Sequence, residues 1–363
     1  MDSTRLAQIR KDFYLSTRSR VESISGKESP QLERYRKTYE NELNRLKYSV
    51  LHRTHFINRL QQAGIVLVGD FHALKQSSRG LLRILRKMKS DIVLCLECIC
   101  VEDQSYLDKF LTGLLTEKDF LNRIQWKKKW DFPWENYRPL FKWAQTHHIK
   151  VFGINTDAKQ LSLKSRDQAS AKVIRKIRSE FKKQQIFIQY GDLHLATKHL
   201  PQEIKKLVPK EDLCIVYQSP EIIYFKIMED HRELSTDVVQ LTEKQWALNV
   251  LPPWVKWQDY LLYLESGYDK KLKRSDHDLT DSVSYSVQLL SESFGLTTDT
   301  SSLSVYSSLD ESFFDQLNVL PAALRRRIVE SVQDGNSFYI PELETAFAGL
   351  CSTQPTSAAK FHR

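Results

Sequence analysis

Two segments of the chain close an apolar run in the same way: VLVGDFHAL (residues 66–74) and IQYGDLHLA (residues 188–196). Each puts a glycine, an acid and a histidine where a buried strand would emerge from its sheet. Glycine lets the backbone turn sharply or approach another group closely. Asp70, His72, Asp192 and His194 can therefore project polar atoms from two strand ends. A third acid, Glu97, is embedded in the apolar stretch LCLECIC (residues 94–100). A lone buried carboxylate is costly unless it is paired or protonated. Glu97 thus requires a partner, and His72 and His194 are the natural candidates.

Two histidines and a glutamate arriving from separate strands support two kinds of chemistry. As neutral imidazoles and a carboxylate, His72, Glu97 and His194 are ordinary ligands for a divalent zinc, manganese or iron ion. As a general acid and base they can activate water, with the carboxylate orienting a histidine or raising its basicity. The bland alternative is that each histidine only satisfies loop carbonyls, as partly buried histidines commonly do. Repetition of the pattern weighs against it.

Other residues extend the candidate set. In WKKKWDFPWENYRPLFKWA (residues 126–144) Tyr137, Arg138 and Pro139 stand where a helix would start, and helix starts attract anions. The four tryptophans of that stretch read first as core. In KSRDQASAKVI, Arg166 and Asp167 lie in the first turn of another helix; Arg166 can hold a carboxylate or phosphate, or pair with Asp167 or Glu97. Cys95, Cys98 and Cys100 cluster, but no second Cys or His pair follows nearby, so they read as small buried hydrophobes. Five cysteines, an odd number, fit reduced thiols better than a disulfide framework.

The elements that must position these groups follow from the apolar pattern. Ile65 to Val68, Ile92 to Leu96, Val151 to Ile154, Ile186 to Tyr190 and Cys214 to Tyr217 are short and unrelieved by polar alternation, as in strands covered on both faces. Helical periods separate them: Leu81, Leu85 and Met88; Trp134, Tyr137, Phe141 and Ala144; Val173, Ile174, Ile177 and Phe181. The alternation predicts an α/β fold with a largely parallel central sheet flanked by helices. In such sheets ligands collect outside the carboxyl ends of the strands. Ile222 to Ile227 follows Cys214 to Tyr217 after only QSPE, too short for a crossover helix, which predicts an antiparallel hairpin at a sheet edge.

Upstream, Tyr35, Tyr39, Leu43, Leu46 and Val50 recur at helical spacing in a basic helix or pair of helices. Downstream, DVVQLTEKQWALNV offers a further strand, PWVKWQDYLLYLE an amphipathic helix, KLKRSDHDLTDS a linker and LSVYSS a strand. The expected division is a helical extension over 1–62, an α/β domain over 63–268, a smaller, mostly helical acidic subdomain over 269–350 and a tail over 351–363. Of the net charge of +9, residues 276–363 carry −7 and the remainder +16. That split suits either an acidic partner for the basic amino-terminal part or attraction within the molecule. No stretch approaches the ~20 apolar residues of a membrane span, and the charged start lacks the pattern of a secretory or lipoprotein signal. The expected location is the cytoplasm.

Residues 65 to about 265 resemble the ChaN-like haem-binding uptake domain of the Tiki superfamily, which also includes erythromycin esterase-like proteins. The segments that carry the resemblance are VLVGDFHALKQS, IVLCLECICVEDQ, WENYRPLFKWAQTHHIKVFGIN, SRDQASAKVI and YGDLHLATKHLP, in that order. The resemblance implies a pocket lined by the two GxxH histidines and a glutamate of the second strand, which fall on His72, His194 and Glu97. It favours Tyr137, Asn155 and Arg166 as further pocket residues; Asp70 stands where many relatives have glutamate. It also implies haem or a divalent metal ion as cofactor, or hydrolysis of ester or peptide bonds. The first expectation is therefore a haem- or iron-binding protein in which Tyr137, Arg138, Asn155, Asp70 and Asp192 contribute to the cofactor site. A hydrolase using His72, Glu97, His194 and Arg166 is the alternative. An interaction protein on an inactive scaffold ranks third.

Overall fold

The computed structural model describes residues 3–89, 91–130, 132–156, 161–230, 232, 236–265, 280–307, 312–333 and 337–348. It divides into two units, Glu28–Val250 and the combination of Met1–Lys27 with Leu251–Arg363. These boundaries differ from the divisions at 62 and 268 expected from the sequence: the helix that starts at residue 30 belongs to the α/β unit.

Helix α1 (Ser3–Ser25) falls in the second unit. The α/β unit then runs α2 (Pro30–Arg45), β1 (Ser49–Val50), α3 (Arg53–Gln62), β2 (Ile65–Asp70), α4 (Lys75–Leu85) and β3 (Ile92–Cys100). Helices α5 (Gln104–Leu111), α6 (Glu117–Arg123), α7 (Trp126–Lys129) and α8 (Arg138–Thr146) lead to β4 (Lys150–Asn155). After it come α9 (Leu163–Glu180), β5 (Gln185–Gly191), α10 (Leu200–Leu207), β6 (Leu213–Gln218), α11 (Glu221–Glu229), β7 (Val238–Thr242) and β8 (Gln245–Leu248). The eight strands form one sheet in the order β1-β7-β8-β6-β2-β5-β3-β4. The six from β8 to β4 are parallel, and β7 and β1 add an antiparallel edge.

Both faces of the sheet are covered, which explains strands without polar alternation. Along β2, Val66 and Val68 enter a core shared with α3, α4 and α8, whereas Ile65 and Leu67 enter the opposite core with α2, α9 and α10. Helix α2 gains its place through Tyr39 and Leu43, both buried in that second core. Its apolar face ends there: Leu46 caps the helix and Val50 lies exposed in β1, so the five-residue stripe expected from spacing is shorter. Two of its four basic residues form ion pairs within the element or just before it, Arg36 with Glu28 and Glu40, and Lys37 with Glu33.

Ile222 to Ile227 is helical, not the second strand of a hairpin with Cys214 to Tyr217. Ser219 adopts a left-handed conformation, Pro220 caps the helix, and α11 buries Ile223, Tyr224, Ile227 and Met228. A short apolar run fits either a strand or a buried helix, and here helical packing wins. The antiparallel edge hairpin does exist, but it is β7–β8, and β6 lies between β2 and β8.

In the second unit, α1 is joined by α12 (Pro253–Glu265) and α13 (Thr280–Phe294). Arg10 and Arg18 lie over the rings of Trp254 and Trp257, 5.4 and 5.3 Å from their centroids. Strand β9 (Ser304–Ser307), helices α14 (Ser312–Asn318) and α15 (Ala322–Gln333), and strands β10 (Phe338–Ile340) and β11 (Thr345–Ala348) complete it. They build a three-stranded sheet in the order β10-β11-β9 with its own small core around Phe313, Ile328 and Phe347. LSVYSS is thus a strand and PWVKWQDYLLYLE a helix, while most of the expected linker and the carboxyl-terminal tail lie outside the described residues. Among the described residues no helix is long and apolar enough to cross a membrane.

Candidate functional site

The parallel pairing of β2 with β5 places Asp70 opposite Gly191, so the two Gly-Asp-x-His segments emerge side by side. Next to them, β3 pairs with β5 as far as Leu96 and Gln189, and its pairing with β4 changes register between Leu96 and Cys100. Such an irregularity re-aims a side chain. Glu97 is the first of the three residues inside it, ahead of Cys98 and Ile99. Its Oε2 accepts the Gly191 backbone N–H at 2.7 Å and its Oε1 accepts Arg166 Nη2 at 2.9 Å. His72 Nε2 stands 3.8 Å from Oε2. Gly191 eases this approach: a Cβ there would lie tightly against His72 Nε2 at 3.3 Å and touch Glu97 Oε2 at 3.4 Å.

His72 is held from behind. Its Nδ1–H donates to Asp70 Oδ2 at 2.8 Å, and the same oxygen accepts the Tyr137 hydroxyl at 2.9 Å. Asn136 donates to the His72 carbonyl at 3.2 Å. The result is a chain from Tyr137 through Asp70 and His72 to Glu97 and Arg166. The His72 and Arg166 side chains are 24% and 25% exposed, whereas Glu97 is 3% exposed, so solvent meets this chain at the imidazole and the guanidinium. Partly exposed Trp130 and Phe132 flank the His72 ring, 4.6 and 5.1 Å between centroids.

Burial alone would lower the His72 pKa, but Asp70, then Glu97, outweigh it and hold the imidazolium above its ordinary range, with Arg166 opposing. Burial likewise pushes Glu97 up, yet His72, Arg166, His194 and the Gly191 N–H together bring it below the usual carboxylate value. Burial, reinforced by Asp70, keeps the Tyr137 phenol well above its ordinary value.

His194 forms a second histidine–carboxylate pair. It lies in the short 3-10 turn after β5, and its Nδ1–H donates to Asp167 Oδ1 at 2.5 Å. Asp167 sits in α9, one residue after Arg166, and is fully buried. The helix is set by the Ser162 cap, whose hydroxyl accepts the Ser165 N–H. His194 is near enough to Glu97 to stabilise its charge, but its direct partner is Asp167. The sequence offered Asp167 only as a possible mate for Arg166. Nothing in the spacing indicates that residues 27 positions apart share a proton.

The remaining candidates separate. Asn155, at the end of β4, has its Oδ1 3.5 Å from Arg166 Nη2. Asp192 closes over Gly69, where an added Cβ would collide with its Oδ1 at 1.8 Å, and its charge is felt by Tyr39 and Tyr217. Arg138 does begin α8, but it turns to Glu117 on α6, with Nε to Oε1 at 2.9 Å. Cys95, Cys98, Cys100 and Cys214 are buried free thiols. Among the described residues no group of three or more His, Cys, Asp or Glu side chains is found that could hold a metal ion.

The fold and site define an α/β protein with a cluster of buried and half-buried polar side chains at the carboxyl ends of its parallel strands. Residues 56–189 match the family model described as haem-binding uptake, Tiki superfamily, ChaN, so this part of the chain is similar to that family. The match ends just before the second Gly-Asp-x-His segment. Among solved structures, one of ChaN from Campylobacter jejuni, described by cofacial haem binding, is similar with 15% identity and a TM-score of 0.36 over 47% of this chain and 87% of that one. RRSP, a MARTX toxin effector domain from Vibrio vulnificus, is similar with 13% identity and a TM-score of 0.35, over 47% of this chain and 36% of that one. The C-terminal region of Pasteurella multocida toxin, described as bearing a thiol-protease-like catalytic triad, gives 13% and 0.35, over 60% and 30%. No curated protein sequence matches the chain.

Proposed function

We propose that this cluster is an acid–base hydrolytic centre acting on an ester or peptide bond, with His72 as its proton acceptor. The observation that carries the reading is the orientation of His72: Asp70 fixes Nδ1–H, leaving Nε2 to face the reacting side beside Glu97. In its neutral form, His72 takes a proton from water through Nε2 as the water oxygen attacks the carbonyl carbon. Glu97 and Asp70 stabilise the imidazolium that forms. Arg166, partly exposed and anchored by Glu97, offers N–H groups to the oxyanion that develops. The proton taken up by His72 is then delivered from Nε2 to the leaving atom as the carbon–oxygen or carbon–nitrogen bond breaks, and His194, oriented by Asp167, is the second imidazole near Glu97.

Haem is the ligand named by the matching family, and the donors present fit it unequally. Tyr137 does not fit as an axial ligand: it is 1% exposed, its hydroxyl is committed to Asp70, and burial disfavours the phenolate. His72 fits better, since a histidine whose Nδ1–H is held by a carboxylate presents a basic Nε2, and Trp130 and Phe132 give it apolar neighbours. The second reading is therefore a haem-binding protein with His72 as the donor; bound haem supplies an iron centre. The charged Glu97–Arg166 pair beside Nε2 is what places hydrolysis first.

Assays with 4-nitrophenyl acetate and a mixed peptide substrate, run beside a haem titration, test both. The expected outcome is turnover that is lost in His72→Ala and lowered but still measurable in Glu97→Gln. Turnover unchanged in both variants rejects the hydrolytic reading. A Soret band lost in His72→Ala but kept in Tyr137→Phe, without turnover, supports the second reading instead.

A further inference from the structure

Asp167 has two carboxylate oxygens, both without access to water, and only one of them serves His194. The other accepts the hydroxyl of Tyr35, Oη to Oδ2 at 3.1 Å. Tyr35 comes from α2, outside the stretch matched by the family model. Its ring stacks on His199 with centroids 3.8 Å apart, and His199 is fixed in turn by Nδ1–H to the Leu193 carbonyl at 2.6 Å. The same ring meets His194 edge-on at 5.4 Å. The α2 helix cannot slide freely, because Tyr39 and Leu43, one and two turns further along, are buried in the sheet core.

We infer that Tyr35 is a positioning residue of the site: it locks the Asp167 carboxylate so that His194 keeps its proton on Nδ1 and presents Nε2 for chemistry. A carboxylate held at both oxygens cannot rotate without breaking a buried hydrogen bond. Burial and the Asp167 charge keep the Tyr35 phenol above its ordinary value, so it remains a donor at physiological pH. Helix α2 is thereby part of the functional unit. The inference rests on the hydrolytic reading for its consequence in turnover, but the geometry of the Tyr35–Asp167–His194 relay can be read without any substrate.

The test uses the full chain with isotope-labelled histidine, observing ring-nitrogen NMR shifts at one fixed pH in wild type, Tyr35→Phe and Asp167→Asn. Wild type is expected to show His194 as a single Nδ1–H tautomer. In Tyr35→Phe its two ring-nitrogen shifts move towards each other, as in a tautomer mixture, with His72 unmoved; Asp167→Asn moves His194 further in the same direction. A His194 spectrum unaltered in Tyr35→Phe but altered in Asp167→Asn overturns the role of Tyr35, and one unaltered in both overturns the relay. If 4-nitrophenyl acetate is turned over, Tyr35→Phe lowers kcat with little change in KM. Absence of turnover with the expected NMR shifts counts against the hydrolytic reading alone. Should Tyr35→Phe melt early, the spectra are read well below its melting transition, where a folded Tyr35→Phe protein with an unmoved His194 overturns the inference.

Discussion

At the scale of single residues, the site is a set of acids each joined to a hydrogen-bond donor: Asp70 to His72, Glu97 to Arg166, and Asp167 to His194. The pairing gives each of these three buried acids, two from strands and one from α9, a hydrogen-bond donor that offsets its loss of water. It also gives the site a direction, from the buried Tyr137 hydroxyl outward to the exposed edge of His72. A general base contributes typically about 10²–10⁴ in rate, so His72→Ala should lower kcat/KM for an accepted ester by roughly that factor, measured by initial rates. The base must be neutral to work. Since Asp70 and Glu97 raise the His72 pKa, kcat/KM is expected to rise with pH through a midpoint above the ordinary imidazole value of 6.5. Glu97→Gln removes one source of that rise and should move the midpoint down.

At the scale of elements, two close approaches make separable predictions. A Cβ at Gly191 would press on His72 Nε2 and Glu97 Oε2, both side-chain atoms, at 3.3 and 3.4 Å. One at Gly153 would meet the Cys100 and Ile99 carbonyls at 2.7 and 2.8 Å. Gly191→Ala should therefore keep most of the thermal stability while losing activity, whereas Gly153→Ala should lower the melting temperature. Leu43→Ala on α2 leaves a cavity in the core and should cost about 2–5 kcal/mol in denaturant unfolding; an arm attached loosely to the domain would lose almost nothing. Much of this was legible in the sequence. Unbroken apolar runs revealed the parallel strands, and their endings gave His72, Glu97 and His194. Ile222 to Ile227 was misread because a six-residue apolar run has no decisive period. Asp167 and Tyr35 were hidden for a different reason: their partnership spans 132 positions and depends on how α2 lies against α9, which no local pattern encodes. Arg138 occupies the helix start as expected, yet Glu117 on a separate helix takes its charge.

At the scale of the whole molecule, the paired charges link stability to pH. The folded state raises the His72 pKa, so that contribution is complete below 6.5 and is lost as pH rises through the folded value. It lowers the Glu97 pKa, so that contribution is present above 4.5 and is lost as pH falls through the folded value. Both act together between those two ordinary values. Urea unfolding should accordingly show the stability gap between wild type and His72→Gln narrowing from pH ~6 to pH ~9, and the gap to Glu97→Gln narrowing as pH falls below ~4. Gaps independent of pH would mean that the two groups are not coupled to the fold as their partners imply. The uneven charge, +16 over residues 1–275 and −7 beyond, is a separate property of the molecule. Within α2, two of the four basic side chains, Arg36 and Lys37, are engaged by neighbouring glutamates.

The most direct measurement is the pH–rate profile of aryl-ester hydrolysis by wild type, His72→Ala and Glu97→Gln. An ascending limb above pH 6.5 in wild type, shifted down in Glu97→Gln and abolished in His72→Ala, is the predicted result. Three superimposable profiles, whether active or no faster than buffer, would contradict a proton-accepting role for His72.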